Sequence, residues 1–180
     1  MKFKTTSNEI QLFYSIITSR LNFTISRNLI IIALLIVCTT FSYSQSSCKA
    51  KLQVEKSRNS RSITSEGTQY KLELTNDNFN SANYTLKAVN INASCSNNDG
   101  SSTSGNVNLT IFFTDLDSNP ITELSLNPGE TKSFLAKIGL PSGTPFNKWN
   151  CTQIIATSND CSSYSVSTIL HTLVSDPNQE

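Results

Sequence analysis

Charge is scarce in this chain: Asp, Glu, Lys and Arg make up 15% of its 180 residues, and the net charge is +1. A balance so close to zero excludes an extended nucleic-acid surface and a basic membrane-coating face. Histidine occurs once, at His171, and no serine or cysteine motif accompanies it. A G-x-S-x-G elbow, an H-E-x-x-H pair and a P-loop are all absent, and no pair of carboxylates stands out for glycoside hydrolysis. The chain is therefore read as a non-enzymatic protein with no cofactor. No C-x-x-C spacing and no Cys/His pair occurs among the cysteines, which removes the usual zinc reading. Glycine and methionine are scarce, and no repeat, heptad or low-complexity tail is found.

What the chain has instead is serine, threonine and asparagine, which suit turns and solvated strand faces, together with β-branched residues that favour strands. From Cys48 onward no helical period is found, and short alternating segments recur between turn residues. Residues 48–56 place Ala50, Leu52 and Val54 on one face, and a polar, basic loop through Arg58 and Arg61 follows. Residues 68–76 turn Tyr70, Leu72 and Leu74 inward. Residues 83–93 begin with Tyr84 and Leu86 inward, then change phase at Ala88–Val89, which suggests a bulge. Residues 106–114 carry Val107, Leu109, Ile111 and Phe113 on one face, and 121–126, 131–140, 149–157 and 164–174 complete the series. Asn127-Pro128-Gly129-Glu130 is a tight turn, with proline at its second position and glycine at its third. The expected fold is all-β, a single immunoglobulin-like sandwich of seven to eight strands.

An apolar run at 29–38, preceded by Arg20 and Arg27, has the length of a signal-peptide core and is too short to span a bilayer. Ser42 and Ser44 fit a cleavage site before Gln45, which divides the chain into a leader at 1–44 and a sandwich domain at 45–180. The stretch before Arg27 is long, as in an extended leader or a start codon set too far upstream. Leu35-Ile36-Val37-Cys38 is similar to a lipoprotein box, but Val37 departs from the small residue such boxes carry, so secretion or periplasmic release is preferred to lipid anchoring at Cys38. The mature part keeps Cys48, Cys95, Cys151 and Cys161, an even set suited to disulfides in an oxidising compartment. If successive strands alternate in direction, Cys48 and Cys151 fall at one end and Cys95 and Cys161 at the other. Bridges need Cα atoms within about 4.4–6.8 Å, so the expected pairs are Cys48–Cys151 and Cys95–Cys161, with two other pairings open.

The segments Leu74-Thr75-Asn76, Tyr84-Thr85-Leu86, Leu126-Asn127-Pro128-Gly129-Glu130, Leu140-Pro141-Ser142-Gly143-Thr144 and Ile155-Ala156-Thr157-Ser158 together form a recognisable series. In their order and spacing the chain resembles the NEW3/CARDB-type immunoglobulin-like modules of bacterial surface and secreted proteins. That resemblance implies a sandwich of about seven strands, used as a spacer, anchor or adhesion module, and no activity. The four mature cysteines and the lack of a partner domain depart from the usual setting.

Among candidate sites, Asp115, Asp117 and Asn119 have the spacing of a calcium loop, but Pro120 stands where the EF-hand needs glycine and no distal glutamate follows. A polar hairpin turn is the preferred reading. His171 is expected to be a packed or surface residue, and Trp149, beside Cys151, a core residue rather than a sugar platform. Lys49, Lys51, Lys56, Arg58 and Arg61 are read as protection of a sheet edge before an acidic-polymer contact. Sequons at Asn83, Asn92, Asn108 and Asn150 are expected by chance in so asparagine-rich a chain. Recognition is expected from the end loops at 97–104 and 141–148, toward an unknown protein or polysaccharide partner at the cell surface; the alternative is a small carbohydrate-binding protein, calcium-assisted or not.

Overall fold

The computed structural model describes residues 48–96, 99–161 and 164–178, all within one compact unit, Ser46–Glu180. The expected leader at 1–44, its cleavage site and Cys38 lie outside the described residues. Two sheets, antiparallel apart from one edge pairing, face each other as a β-sandwich, with no α-helix among the described residues. The strands are β1 (Ala50–Val54), β2 (Ser60–Ile63), β3 (Thr68–Asn76), β4 (Ala82–Asn90), β5 (Thr110–Thr114), β6 (Glu123–Leu126), β7 (Thr131–Gly139), β8 (Lys148–Ser158) and β9 (Ser165–Val174). One sheet has the order β1-β3-β7-β5 and the other β2-β9-β8-β4-β6, in which β2 joins β9 in parallel. Relabelled A to G, this is the A-B-E-D and G-F-C layout of an immunoglobulin-like sandwich, except that the D-like β5 precedes β6, which flanks the C-like β4.

Period-two alternation builds the core. Tyr70, Leu72 and Leu74 of β3, Phe134, Ala136 and Ile138 of β7, and Ile154 and Ala156 of β8 point inward and are buried. Phe113 meets Phe134 edge to face, with ring centroids 5.9 Å apart. The bulge expected at Ala88–Val89 is not formed: β4 keeps one register against β8 from Tyr84↔Ser158 to Asn90↔Thr152. The apparent change of phase arises because the inward position after Ala88 is Asn90, a polar residue given partners inside. The segment read as a polar loop after Lys56 contains β2, an edge strand whose only buried side chain is Ile63. In the tight turn at 127–130 Gly129 has φ of +71°, and Glu130 N–H donates to Asn127 O at 3.0 Å.

The four edge strands have four or five residues, against nine to eleven in the interior strands. Short edges resist pairing with another chain, and Lys49 and Lys51 stand exposed at the β1 edge, as edge protection requires. At the β5 edge the chain makes a tight turn at 115–119, and the Ile121 amide then donates to Phe113 O at 3.0 Å. It next crosses to the other sheet, where Leu86 N–H reaches Thr122 O at 2.8 Å and β6 begins. A strand that switches sheets closes this flank.

That switch overturns the expected disulfides. The bridges are Cys48–Cys161, with Cα atoms 6.4 Å apart, and Cys95–Cys151, at 6.2 Å. The expectation that each bridge joins residues at one end of the sandwich holds, but the count of chain reversals was off by one. β5 runs antiparallel to β7 and β6 antiparallel to β4, so β5 and β6 run in the same direction. Every later strand is thereby inverted, which brings Cys151 to the end of Cys95 and leaves Cys161 with Cys48.

Candidate functional site

The end of the sandwich that carries Cys95–Cys151 gathers the 64–67 turn, the long 91–109 connection, the 140–147 loop and residues 175–178 after β9. The two loops expected to carry recognition thus share one end, Asn97 lying outside the described residues. Gly67, at φ +85°, closes the first turn; a Cβ there would lie 2.8 Å from Ile138 O, so the turn needs glycine. Leu140, Pro141, Phe146 and Pro177 wall an apolar recess of about 240 Å³. It shares Ser65 and Leu140 with a broader, more polar depression of about 630 Å³ that reaches Arg61, Gln69, Phe112 and Lys137. Phe112 and Phe146 are 52% and 45% exposed, an unusual outlay of aromatic surface at one end of a domain.

At the same end, residues 107–109 precede β5 outside the sheet ladders, yet Val107 and Leu109 have main-chain partners. Asn90, inward on β4, donates from Nδ2 to Leu109 O at 3.2 Å. Asn92 and Asn150 both donate to Val107 O, at 3.0 and 2.8 Å, and the Val107 amide donates to Trp149 O at 3.0 Å. Asn150 also donates to Asn90 Oδ1 at 2.6 Å, and Thr152 Oγ1 donates to Asn150 Oδ1 at 2.8 Å. Side-chain amides here take the place of a strand partner. Two of the four sequon asparagines, Asn92 and Asn150, are therefore structural.

The loop beyond Cys95 folds over the outer face of the second sheet. Cys151 and His171 are register partners on β8 and β9, and both are buried under it. Ser101, wholly buried, brings its hydroxyl 2.8 Å from His171 Nδ1, and Cys95 Sγ lies 3.7 Å from the same nitrogen. From the core side, the Tyr70 hydroxyl donates to His171 O at 2.6 Å. Burial pushes the Tyr70 phenol up to about 12. Burial also holds His171 below its ordinary value, against the Asp99 carboxylate, which favours its protonated form. Asp99 is pushed up by desolvation, but hydrogen bonds from the Ser101 hydroxyl and amide carry it below its ordinary value. The Ser101 amide donates to the Asp99 carboxylate at 2.8 Å, and Ser101 has no exposed surface.

A pH dependence follows. The unfolded chain binds the imidazole proton more readily than the folded one, so stability falls as pH drops below about 6.5 and is unaffected by this group above it. The loss in melting temperature between pH 7.5 and 5.5 is expected to be smaller in His171→Gln than in the parent. An equal loss in both would remove His171 as its source.

The other sequence candidates separate. Asp115 accepts from the Asn119 amide and from Asn119 Nδ2, both at 2.8 Å, and these hydrogen bonds hold its carboxyl low. Asp115, Asp117 and Asn119 thus form a closed polar turn on the β5 flank, with Asp117 exposed. Trp149 is not in the core; it is half-buried on the outer face, on the same side of β8 as Cys151. The grouping of Cys95, Cys151, Ser101 and His171 was not visible in the sequence, where these residues are scattered across 77 positions from 95 to 171.

No family model and no curated protein sequence matches the chain. Solved structures similar to it include a FixG-related protein from Vibrio parahaemolyticus (12% identity, covering 71% of this chain and 95% of that one, TM-score 0.45). The E. coli chaperone DraB matches at 9% identity over 74% of this chain and 57% of its own, with TM-score 0.44. A family 123 glycoside hydrolase from Clostridium perfringens matches at 12% identity, over 70% of this chain and 27% of that one, with TM-score 0.46.

Proposed function

We propose that this chain is an exported, non-enzymatic binding module that presents the end built from 64–67, 140–147 and 175–178 to a protein at the cell surface. The observation that carries the reading is the apolar recess with Phe112 and Phe146 exposed beside it. An aromatic side chain held out of the core costs solvation, and a rigid sandwich with loops at one end is a frequent scaffold for recognition. Binding by strand addition is disfavoured, since the edges are short and the β5 edge is occupied by the chain itself. Two disulfides, one at each end, suit an oxidising compartment. The resemblance to NEW3/CARDB-type modules points the same way.

The test places a photo-crosslinking phenylalanine analogue at position 146 and, separately, at 79, where Phe79 is also exposed but lies at the opposite end. Illumination of intact cells is expected to give a discrete protein adduct from 146 and none from 79. Equal adducts at both positions, or none at either, would sink the reading. Adducts that collapse on glycosidase treatment would establish the carbohydrate-binding alternative instead.

A further inference from the structure

We propose that Cys95, Cys151 and His171 form a binding site for a thiophilic metal ion, zinc being the type, that exists when their disulfide is reduced. The three donor atoms lie within 4.8 Å of one another, and all three residues are buried. A tetrahedral zinc ion at ordinary bond lengths separates sulfur from nitrogen by about 3.6 Å and two sulfurs by about 3.8 Å. Cys95 Sγ already stands 3.7 Å from His171 Nδ1. The Ser101 hydroxyl, 3.9 Å from Cys95 Sγ and 2.8 Å from Nδ1, fills the fourth corner or holds a water there. The site needs no rearrangement of the sheet, because Cys151 and His171 are register partners on adjacent strands. The motion falls on Cys95, whose loop carries it.

In the disulfide the sulfurs are neutral and bonded to each other, and the thiolate is the metal ligand. A dithiol reductant supplies two electrons and two protons, breaking the S–S bond to give two thiols while the dithiol closes to its own disulfide. Metal binding then expels the two thiol protons. The loop at 95–106 is fastened to β8 by a covalent bond in one state and by the ion in the other. Cys48–Cys161 is the internal contrast, a disulfide with no histidine beside it among the described residues.

The test uses the full chain carrying Cys38→Ser, so that Cys38 adds no thiol. Oxidised protein and protein reduced by a phosphine are each titrated with cobalt(II) without oxygen, and zinc is used for displacement. The expected result is one cobalt per chain after reduction only, with thiolate charge-transfer and tetrahedral visible bands that zinc abolishes. His171→Gln is expected to weaken binding at least roughly tenfold, and Cys48→Ser with Cys161→Ser to leave it intact. No cobalt spectrum after reduction, or one unmoved by His171→Gln, would overturn the proposal. If the reduced chain unfolds, recovery of the native circular dichroism on adding zinc supports the site, and no recovery counts against it.

Discussion

Serine at both Cys95 and Cys151 is expected to lower the melting temperature by roughly 10 °C or more, and to change the emission of the single tryptophan. The bridge spans 56 residues of sequence, and on the chain-entropy scale a loop of that size corresponds to about 4 kcal/mol. Losses of about 2–5 kcal/mol are usual for native bridges, and in a domain of this size each kcal/mol moves the midpoint by several degrees. Cys48–Cys161 closes a longer span, 113 residues, so its removal is expected to cost at least as much. The two variants differ in what they uncover. Cys48 leads into β1, which β3 still holds through five register pairs, and Cys161 sits in the β8–β9 turn, held by its hairpin. Among the described residues the loop after Cys95 has no ladder, so loss of its bridge frees the cover over Cys151, His171 and the adjoining outer face. Trp149 lies two residues from Cys151 on that face, and its emission should rise and shift to the red in the Cys95/Cys151 variant only. A shift in the Cys48/Cys161 variant alone would mean that the ends have been assigned wrongly.

The inward faces of β1, β3 and the start of β4 were legible from residue alternation, because each carries apolar side chains at every second position, whereas β7, β8 and β9 were legible only in their extent. The same reasoning missed β2, whose Ser60, Arg61 and Ser62 are exposed and leave Ile63 as its only apolar signal. It also placed a bulge at Ala88–Val89, since a period of apolar residues cannot reveal that the next inward residue is Asn90, whose partners lie 19 and 60 residues away. The disulfides show how a local ambiguity becomes a global error. Nothing in 115–122 says that the chain reverses, reverses again and changes sheets within eight residues, yet that one segment sets the direction of everything after it. The Cys/His cluster was hidden for the same reason, as spacing motifs detect ligands on one turn or hairpin and these come from a loop and two strands. Phe146 and Phe112 were present in the sequence as ordinary apolar residues; only the fold puts them in two adjoining depressions that share Ser65 and Leu140.

Asn150→Ala is expected to cost about 2–4 kcal/mol, far above the effect of an exposed asparagine. Asn150 has no exposed surface, and its amide joins Val107 O, Asn90 Oδ1 and the Thr152 hydroxyl, at 2.8, 2.6 and 2.8 Å. Truncation weakens three buried contacts and leaves a small void between β8 and the incoming chain at 107–109. Val107 O keeps Asn92, and Thr152 keeps Asn90 Oδ1, so the network loosens without collapsing. Asn150→Asp has nearly the same shape but should be worse at neutral pH. Its carboxylate can still accept from Thr152, yet it would face Val107 O and Asn90 Oδ1 with oxygen where they now receive N–H donors. Acidification should recover part of the Asp variant's stability, because a protonated carboxyl regains one donor, and should not do so for the Ala variant. Urea unfolding at two pH values separates these outcomes, and amide exchange at Leu109, whose N–H reaches Asn90 Oδ1 at 3.4 Å, should speed up in both variants. If Asn150→Ala stays within about 0.5 kcal/mol of the parent, the asparagine network is not what anchors the approach to β5.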